Sequence, residues 1–528
     1  MELHLASFAP LPAPLPTQSI NEFEVALQVT YFILLVPLAL LGMHRAWMVI
    51  LWAIHRKRHP EITPIAETDL PTVNIQLPIY NERYVAARLI ESVAKIDYPR
   101  NRLKIQVLDD STDETVQICE RAVEVEKQKG LNIEHVRRPD RVGYKAGALE
   151  YGLERDDSEF VAVFDADFVP PIDFLRRTLP HFYPDHNGGL KDSDRVGMVQ
   201  TRWGHLNADD GLLTETQATL LDGHFLVEHV ARSRSGYFFN FNGTGGVFRR
   251  AAIDDAGGWQ HDTITEDLDL SYRSQLRGWK FVYDPTTVCP AELPPNMNAF
   301  QTQQYRWAKG AIQVGRKLLG RICTSPIGLR RKIEANVHLL GNFAFPLILA
   351  VVLVGLPLQL VRYLGDTRGS LMSSLFEASP LFGATFSVFL YYGVASVAGG
   401  RKKLKHLVKL PWLVASGAAL SVNNTLAVIA AFDRDPGEFV RTPKQSDQKS
   451  ATVQATYRSR RGVMPRVEIA LSFYALATSV LSFMIGMFAP GFFHGLFAFG
   501  LFWAGFSSLR ADRIASRQAQ VQLSSSIG

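Results

Sequence analysis

The sequence predicts a water-soluble α/β domain with a mostly parallel sheet, inserted into a bundle of membrane-spanning helices. Three observations predict it. The mean hydropathy of +0.01, with 47% hydrophobic and 20% charged residues, is too apolar for an ordinary soluble domain and too polar for a membrane bundle alone. Between residues 71 and 295, short β-rich runs alternate with helical patterns at roughly 30-residue spacing, the period of βαβ units. On both sides of that stretch lie apolar runs long enough to cross a bilayer.

The first run, VALQVTYFILLVPLALLGMHRAWMVILWAI (25–54), exceeds the roughly 20 residues that a span needs. It has neither a basic n-region nor a small-residue cleavage site, so it reads as an anchor and not as a signal peptide. HRKRH (55–59) follows, placing the next segment in the cytoplasm by the positive-inside rule. Four further spans are predicted at 339–361, 381–399, 466–488 and 491–509. The run 407–432 is also apolar, but it carries Pro411, Asn423 and Asn424 and sits between RKKLK (401–405) and a cation-bearing stretch reaching Arg466. With both basic groups on the cytoplasmic side it cannot cross once. It is therefore predicted as an interfacial or re-entrant helix, leaving five spans with the N-terminus outside and the C-terminus inside.

The resulting division is a tail and first span (1–60), the α/β domain (61–298), amphipathic interfacial helices (299–335), spans two and three (336–400), an interfacial helix and loop (401–466), spans four and five (467–509), and a cytoplasmic tail (510–528). A formal charge of +5 is modest for 528 residues and argues against nucleic-acid binding. Cys119, Cys289 and Cys323 match neither a disulfide framework nor a metal knuckle, and read as reduced thiols.

The strands VNIQLPIY (73–80), LKIQVLDD (103–110), NIEHVRR (132–138) and FVAVFDADF (160–168) all but one end in a polar signature. Ligands of parallel sheets gather at such carboxyl ends. In FDADF, strand alternation aims Asp165 and Asp167 the same way, where a hard divalent cation could be held; taken alone, a solvated turn or helix cap is the better reading of the pattern. DDSTDET (109–115) reads as a helix cap or as a carboxylate for a ribose or base. RVGYKAGALE (141–150) offers Gly143, Lys145 and Gly147 near a helix start, suited to a diphosphate. TITEDLDL (263–270) puts Glu266 and Asp267 at a helix N-terminus, as dipole partners or as a general base. FNGTGGVFRR (241–250) is a flexible Gly-rich loop open to close approach by a substrate. In FQTQQYRWAKG (300–310), Gln303, Arg306 and Trp307 share one helical face.

Taken in order, PIYNE, LDDST, YKAGAL, FDADF, NGTGG, TEDLDL, ELP and QQYRW resemble the processive family 2 glycosyltransferases, the cellulose synthases and cellulose-synthase-like mannan and glucan synthases. The ordered set covers residues 71–310. EFVRTPK (438–444) is similar to the family's F-x-V-T-x-K gating loop, with Arg441 in place of Val and with Phe439, Thr442 and Lys444 matching. The resemblance implies a GT-A fold that binds a nucleotide sugar in the cytoplasm. It implies Tyr80, Glu82, Asp110 or its neighbour Asp109, Lys145, Asp165 and Arg306 as nucleotide-sugar contacts. Asp165 and Asp167 would hold Mg2+ or Mn2+. Asp267, beside Glu266, would be the catalytic base. Gln303, Trp307, Gly243 and Thr244 would meet the acceptor. The implied protein is a multi-pass enzyme of the plasma (inner) membrane, among lipids, that polymerises a β-linked polysaccharide and passes it outward. UDP-glucose is the favoured donor, with a GDP-mannose-dependent mannan synthase and a glycolipid-forming enzyme as alternatives. The sequence names no protein partner.

Overall fold

The computed structural model describes residues 17–58, 62–183, 195–400, 410–433, 437 and 462–527. Its α/β domain is built on a seven-stranded sheet: β1 (Val73–Ile79), β2 (Leu103–Asp109), β3 (Ile133–Val136), β4 (Phe160–Val163), β5 (Val196–His205), β6 (Gly246–Arg249) and β7 (Lys280–Ala291), in the order β3-β2-β1-β4-β6-β5-β7. The four strands expected from the sequence pair in parallel, as do β5 and β7, while β6 runs antiparallel to both β4 and β5. The sheet is thus mixed. Strand β5 is obscured in the sequence because Gln200 and Thr201 interrupt its apolar pattern, yet both are fully buried and hydrogen-bonded to the 244–245 backbone.

Helices α1 (Thr17–His55), α2 (Ala86–Ala94), α3 (Thr115–Gln128), α4 (Tyr144–Leu153) and α5 (Phe174–Thr178) precede β5; α6 (Leu212–Gly223) and α7 (His229–Ser235) lead to β6; α8 (Arg250–Asp255) and α9 (Glu266–Leu276) lead to β7. Apolar residues alternate along the parallel strands, so one face packs Ile75, Leu77 and Val107 against Leu89, Ile90 and Val93 of α2. The other face packs Val161 and Val163 against Leu149 of α4 and against Phe241 and Phe248. The registers Ile79↔Asp109 and Gln76↔Val163 bring the carboxyl ends of β1, β2 and β4 to the same edge of the sheet.

The remaining helices are α10 (Met297–Thr324), α11 (Leu329–Leu340), α12 (Ala344–Leu364), α13 (Leu371–Ala398), α14 (Leu410–Ala430), α15 (Met464–Met484) and α16 (Phe488–Ile527). Among the described residues six segments are long and apolar enough to cross a membrane: Glu22–His55, Leu329–Leu364, Leu371–Ala398, Pro411–Ala430, Met464–Met484 and Phe488–Ile514. Pro411–Ala430 differs in kind, with 72% of its residues buried against 22% to 50% in the other five. Its Leu413 belongs to an apolar cluster with Tyr391, Tyr392 and Ala395 of α13, Ala231 of α7 and Met48 of α1, and Val428 and Ala431 pack against Ile312 of α10. Both ends of α14 therefore lie beside elements that adjoin the sheet domain. Its asparagines face protein and not lipid: Asn423 Nδ2 donates to the Gln301 carbonyl at 2.9 Å, and Gln301 Nε2 donates to Glu468 Oε1 at 2.9 Å. The three cysteines are free.

Candidate active site

One cavity opens at the carboxyl ends of β1, β2 and β4 and is roofed by α10. At one end Tyr80 follows β1, with the Arg141 guanidinium 3.3 Å from its ring centroid, a cation–π contact that makes a flat platform. Glu82 borders the same space. Asp110 also lines it, gripped by Arg138 through Nε at 2.8 Å and Nη2 at 2.6 Å. Asp109 does not. Its Oδ1 accepts from the Ser111 N–H at 2.9 Å and its Oδ2 lies 2.8 Å from His135 Nε2. Burial works against its charge, but His135 and Ser111 outweigh it and hold the carboxyl below its usual range. Asp109 closes the strand-end turn, and Asp110 is the carboxylate that the cavity receives.

Helix α4 begins after Gly143 and carries Lys145, whose Nζ lies 2.5 Å from Asp165 Oδ1 and 2.8 Å from the Gly243 carbonyl. Burial opposes its charge, but Asp165 and then Glu266 hold the ammonium protonated above its ordinary range. The Asp165 N–H donates to Thr244 Oγ1 at 2.8 Å. Thr244 is fully buried and sets the turn after β4 without lining the cavity, whereas its neighbour Gly243 borders the cavity directly. Asp165 and Asp167 both line it. Among the described residues no three His, Cys, Asp or Glu side chains form a metal cage. Two carboxylates at one strand end, both lining the cavity, still suit a hard divalent ion that completes its shell with water and phosphate oxygens.

Glu266, buried, and Asp267, partly buried, open α9 in the same cavity wall. Burial, and next the adjacent Glu266, push the Asp267 carboxyl up to about 7, with Lys145 pulling the other way. Burial likewise raises Glu266 against the opposing pull of Lys145. A carboxylate near neutrality is matched to proton transfer at physiological pH. Gly243, at φ +82°, is what leaves it room: a Cβ there would sit 3.0 Å from Asp267 Oδ2 and 3.4 Å from Lys145 Nζ.

Helix α10 starts at an Asn296 cap, whose side chain accepts from the Ala299 N–H at 3.0 Å. One turn and a half later Gln303, Arg306 and Trp307 face the cavity together, as their spacing predicts. Asp165, Asp167, Asp267 and Trp307 thus share one chamber. Phe439, Thr442 and Lys444 lie outside the described residues. Sequence reasoning assigned nothing to Arg138, Arg141, Asn242 and Glu292, all of which hold or line the site. Glu292 lies within the ELP motif, where it pairs with Arg88 at 2.8 Å. That motif and the two arginines beside YKAGAL were the signals available.

Residues 71–310 match the family described as Glycosyltransferase like family 2. The chain is 42% identical over 288 residues to glucomannan 4-beta-mannosyltransferase 2 of Arabidopsis thaliana, covering 53% of this chain and 51% of that one. It is 44% identical over 278 residues to glucomannan 4-beta-mannosyltransferase 1 of Oryza sativa subsp. japonica, covering 52% and 51%. The matched region thus spans about half the length of these curated relatives. Among solved structures, a mannosyltransferase from Pyrobaculum calidifontis in complex with GDP-Man and Mn2+ aligns with a TM-score of 0.51 at 20% identity, over 78% of this chain and 98% of that one. That likeness is one of fold, and the fold is GT-A.

Proposed function

We propose, from the premise that residues 71–310 form a family 2 glycosyltransferase domain, that this chain is an inverting hexosyltransferase that builds a β-linked polysaccharide from a nucleotide-diphosphate sugar. The observation that carries the reading is the shared chamber: a strand-end carboxylate pair, a near-neutral, partly buried carboxylate and an indole line one space roofed by the helix that leads into the apolar bundle.

In this reading the nucleoside lies against Tyr80 and Asp110, and the diphosphate meets Lys145 and Arg306. Asp165 and Asp167 hold the divalent ion, which when bound neutralises charge on the leaving diphosphate. Trp307 stacks the terminal acceptor sugar and Gln303 orients it. Asp267 takes the proton from the acceptor hydroxyl as its oxygen attacks the anomeric carbon. The bond from that carbon to the diphosphate oxygen breaks on the opposite face, and an α-linked donor yields a β-linkage. Positioned general-base catalysis contributes about 10²–10⁴-fold, and holding both sugars in line contributes several kcal/mol more.

The donor is proposed to be GDP-mannose in preference to UDP-glucose, because the curated relatives are named for mannosyl transfer. The contacts at both ends of α14 support an interfacial helix beside the chamber; five spans with the sheet domain in the cytoplasm, at the plasma membrane, complete the reading. The test is purified protein with Mn2+ and labelled GDP-mannose or UDP-glucose. Mannan-sized, β-mannanase-sensitive product that Asp267→Asn fails to make is the expected result. Product from UDP-glucose alone reverses the donor, an organic-extractable product replaces polymer with glycolipid, and equal activity in wild type and Asp267→Asn defeats the mechanism.

A further inference from the structure

Between α6 and α7 the chain does not continue as a regular α-helix. Residues His224–Glu228 form a π turn, closed by a hydrogen bond from the His229 N–H to the His224 carbonyl. Single π turns within helices are frequent at functional sites. In an α-helix, side chains five residues apart diverge by about 140°. Here the His224 and His229 ring centroids are 4.1 Å apart. The extra residue has brought two imidazoles together, and they close on one carboxamide. Asn242 Oδ1 lies 2.6 Å from His229 Nε2, and Asn242 Nδ2 lies 2.9 Å from His224 Nε2.

The chemistry of the carboxamide sets both tautomers, because its oxygen only accepts and its nitrogen only donates. His229 therefore carries its hydrogen on Nε2, and His224 presents a bare Nε2. That leaves a hydrogen on His224 Nδ1, which faces Glu228 Oε2 at 3.3 Å. Glu228 accepts from Arg232 Nε at 2.9 Å, and Arg232 Nη1 lies 3.5 Å from Glu334 Oε2 of α11. Glu334 in turn accepts from Trp47 Nε1 of α1 at 2.8 Å and lies 3.0 Å from His44 Nε2. His229 is fully buried, and its Nδ1 has no hydrogen-bond partner among the described residues. An unmet buried nitrogen costs stability, so the bond to Asn242 is what this position contributes in return.

Asn242 borders the cavity, and the two residues after it touch the reacting groups. Gly243 lies against Asp267 and Lys145, and Thr244 holds the Asp165 backbone. The same segment is tied from below by Gln200, whose Oε1 accepts the Asn242 N–H at 2.8 Å and whose Nε2 donates to the Thr244 and Gly245 carbonyls. We propose that the π turn is a positioning clamp: His224 and His229 hold the Asn242–Gly245 segment so that Asp267, Lys145 and Asp165 meet donor and acceptor in register. Glu228, Arg232 and Glu334 anchor this clamp to the membrane-side helices α1 and α11. The clamp rests on the transferase reading of the cavity.

The experiment compares wild type, His224→Phe, His229→Phe, Asn242→Ala and the His229→Phe/Asn242→Ala double variant. Each is assayed for turnover and donor KM, for nucleoside-diphosphate binding with Mn2+ by calorimetry, and for hydrogen exchange of the peptide covering residues 240–246. Each histidine variant is expected to lose about tenfold or more in kcat while KM stays within about twofold. Exchange of the 240–246 amides should quicken, and the double variant should be no slower than Asn242→Ala alone. Unchanged kcat, or losses that add in the double variant, would overturn the clamp. If His229→Phe binds no nucleotide through misfolding, the less buried His224 decides: His224→Gln restores an acceptor and should recover turnover relative to His224→Phe, and failure to recover overturns the proposal. If wild type turns over no donor, the transferase reading falls, while the exchange rates still support or overturn the clamp.

Discussion

A methyl group on Gly310 would lie 2.3 Å from Thr265 Cγ2. Helix α10 therefore meets the segment ahead of α9 with no side chain between them. Gln313, one turn on, adds a bond by accepting from the Ile264 N–H at 3.0 Å. This contact brings the face bearing Arg306 and Trp307 over the start of α9, where Glu266 and Asp267 begin their helix. The glycine that ends QQYRWAKG is thus part of the site's geometry, although it touches no substrate.

Gly310→Ala should force α10 away from Thr265, because overpacking a tight contact costs about 1–3 kcal/mol. We expect about a tenfold fall in turnover, since a shift of about 1 Å between reacting groups is enough to lower the rate strongly. Nucleotide binding, measured by calorimetry, should survive. Full activity in Gly310→Ala would mean that the close approach does not set the alignment.

The raised Asp267 carboxyl predicts the pH profile. With its pKa at about 7, kcat/KM should fall about tenfold per pH unit below that value and level off above it. The stability sign is opposite to the usual carboxylate case. The folded chain holds this proton up to about 7, whereas the unfolded chain releases it near about 3.9, so rising pH removes stability across that window. Asp267→Asn should consequently lose about 10²–10⁴-fold in rate yet melt at a higher temperature than wild type at pH 8. A rate independent of pH from 5 to 8 would remove Asp267 as the base.

Asp165→Asn and Asp167→Asn should abolish the Mn2+-dependent part of nucleoside-diphosphate binding, read by calorimetry with and without chelator. Asp165→Asn also removes the nearest counter-charge of Lys145, so residual binding of GDP without metal should strengthen. Metal-dependent binding that survives both substitutions would place the ion elsewhere.

Trp307→Ala should shorten the products and raise the concentration of acceptor needed for half-maximal rate about tenfold, in line with about 1–3 kcal/mol for an aromatic platform. Trp307→Phe should recover most of this, and the donor KM should not move. Chain length is read by gel filtration of labelled product. An altered donor KM with unchanged chain length would relocate Trp307 to the nucleotide side.

The first four strands and the long apolar helices were legible because their signals are local: period-two alternation, β-branched runs bounded by turns, and sustained hydropathy. The shared face of Gln303, Arg306 and Trp307 followed from helical spacing alone. Strand β5 was not legible, because its buried Gln200 and Thr201 are satisfied by partners far along the chain. Asp109 and Asp110 could not be separated in sequence, since the outcome depends on His135 and Arg138 from a neighbouring strand and loop. Asn423 and Asn424 argued against a lipid-facing helix, and their burial against α10 supplies the reason.

By itself, the sequence determined that an α/β domain with acidic strand ends sits among apolar helices, and which residue types stand at each strand end and on each helical face. Those are short-range properties, set by backbone geometry and by the cost of leaving polar groups in hydrocarbon. Only the tertiary structure decided that Asp165, Asp267 and Trp307 face one chamber, that Asp267 titrates near neutrality, and that two histidines close on Asn242. Those depend on burial and on charges brought together across more than a hundred residues of chain, where no local pattern carries the information.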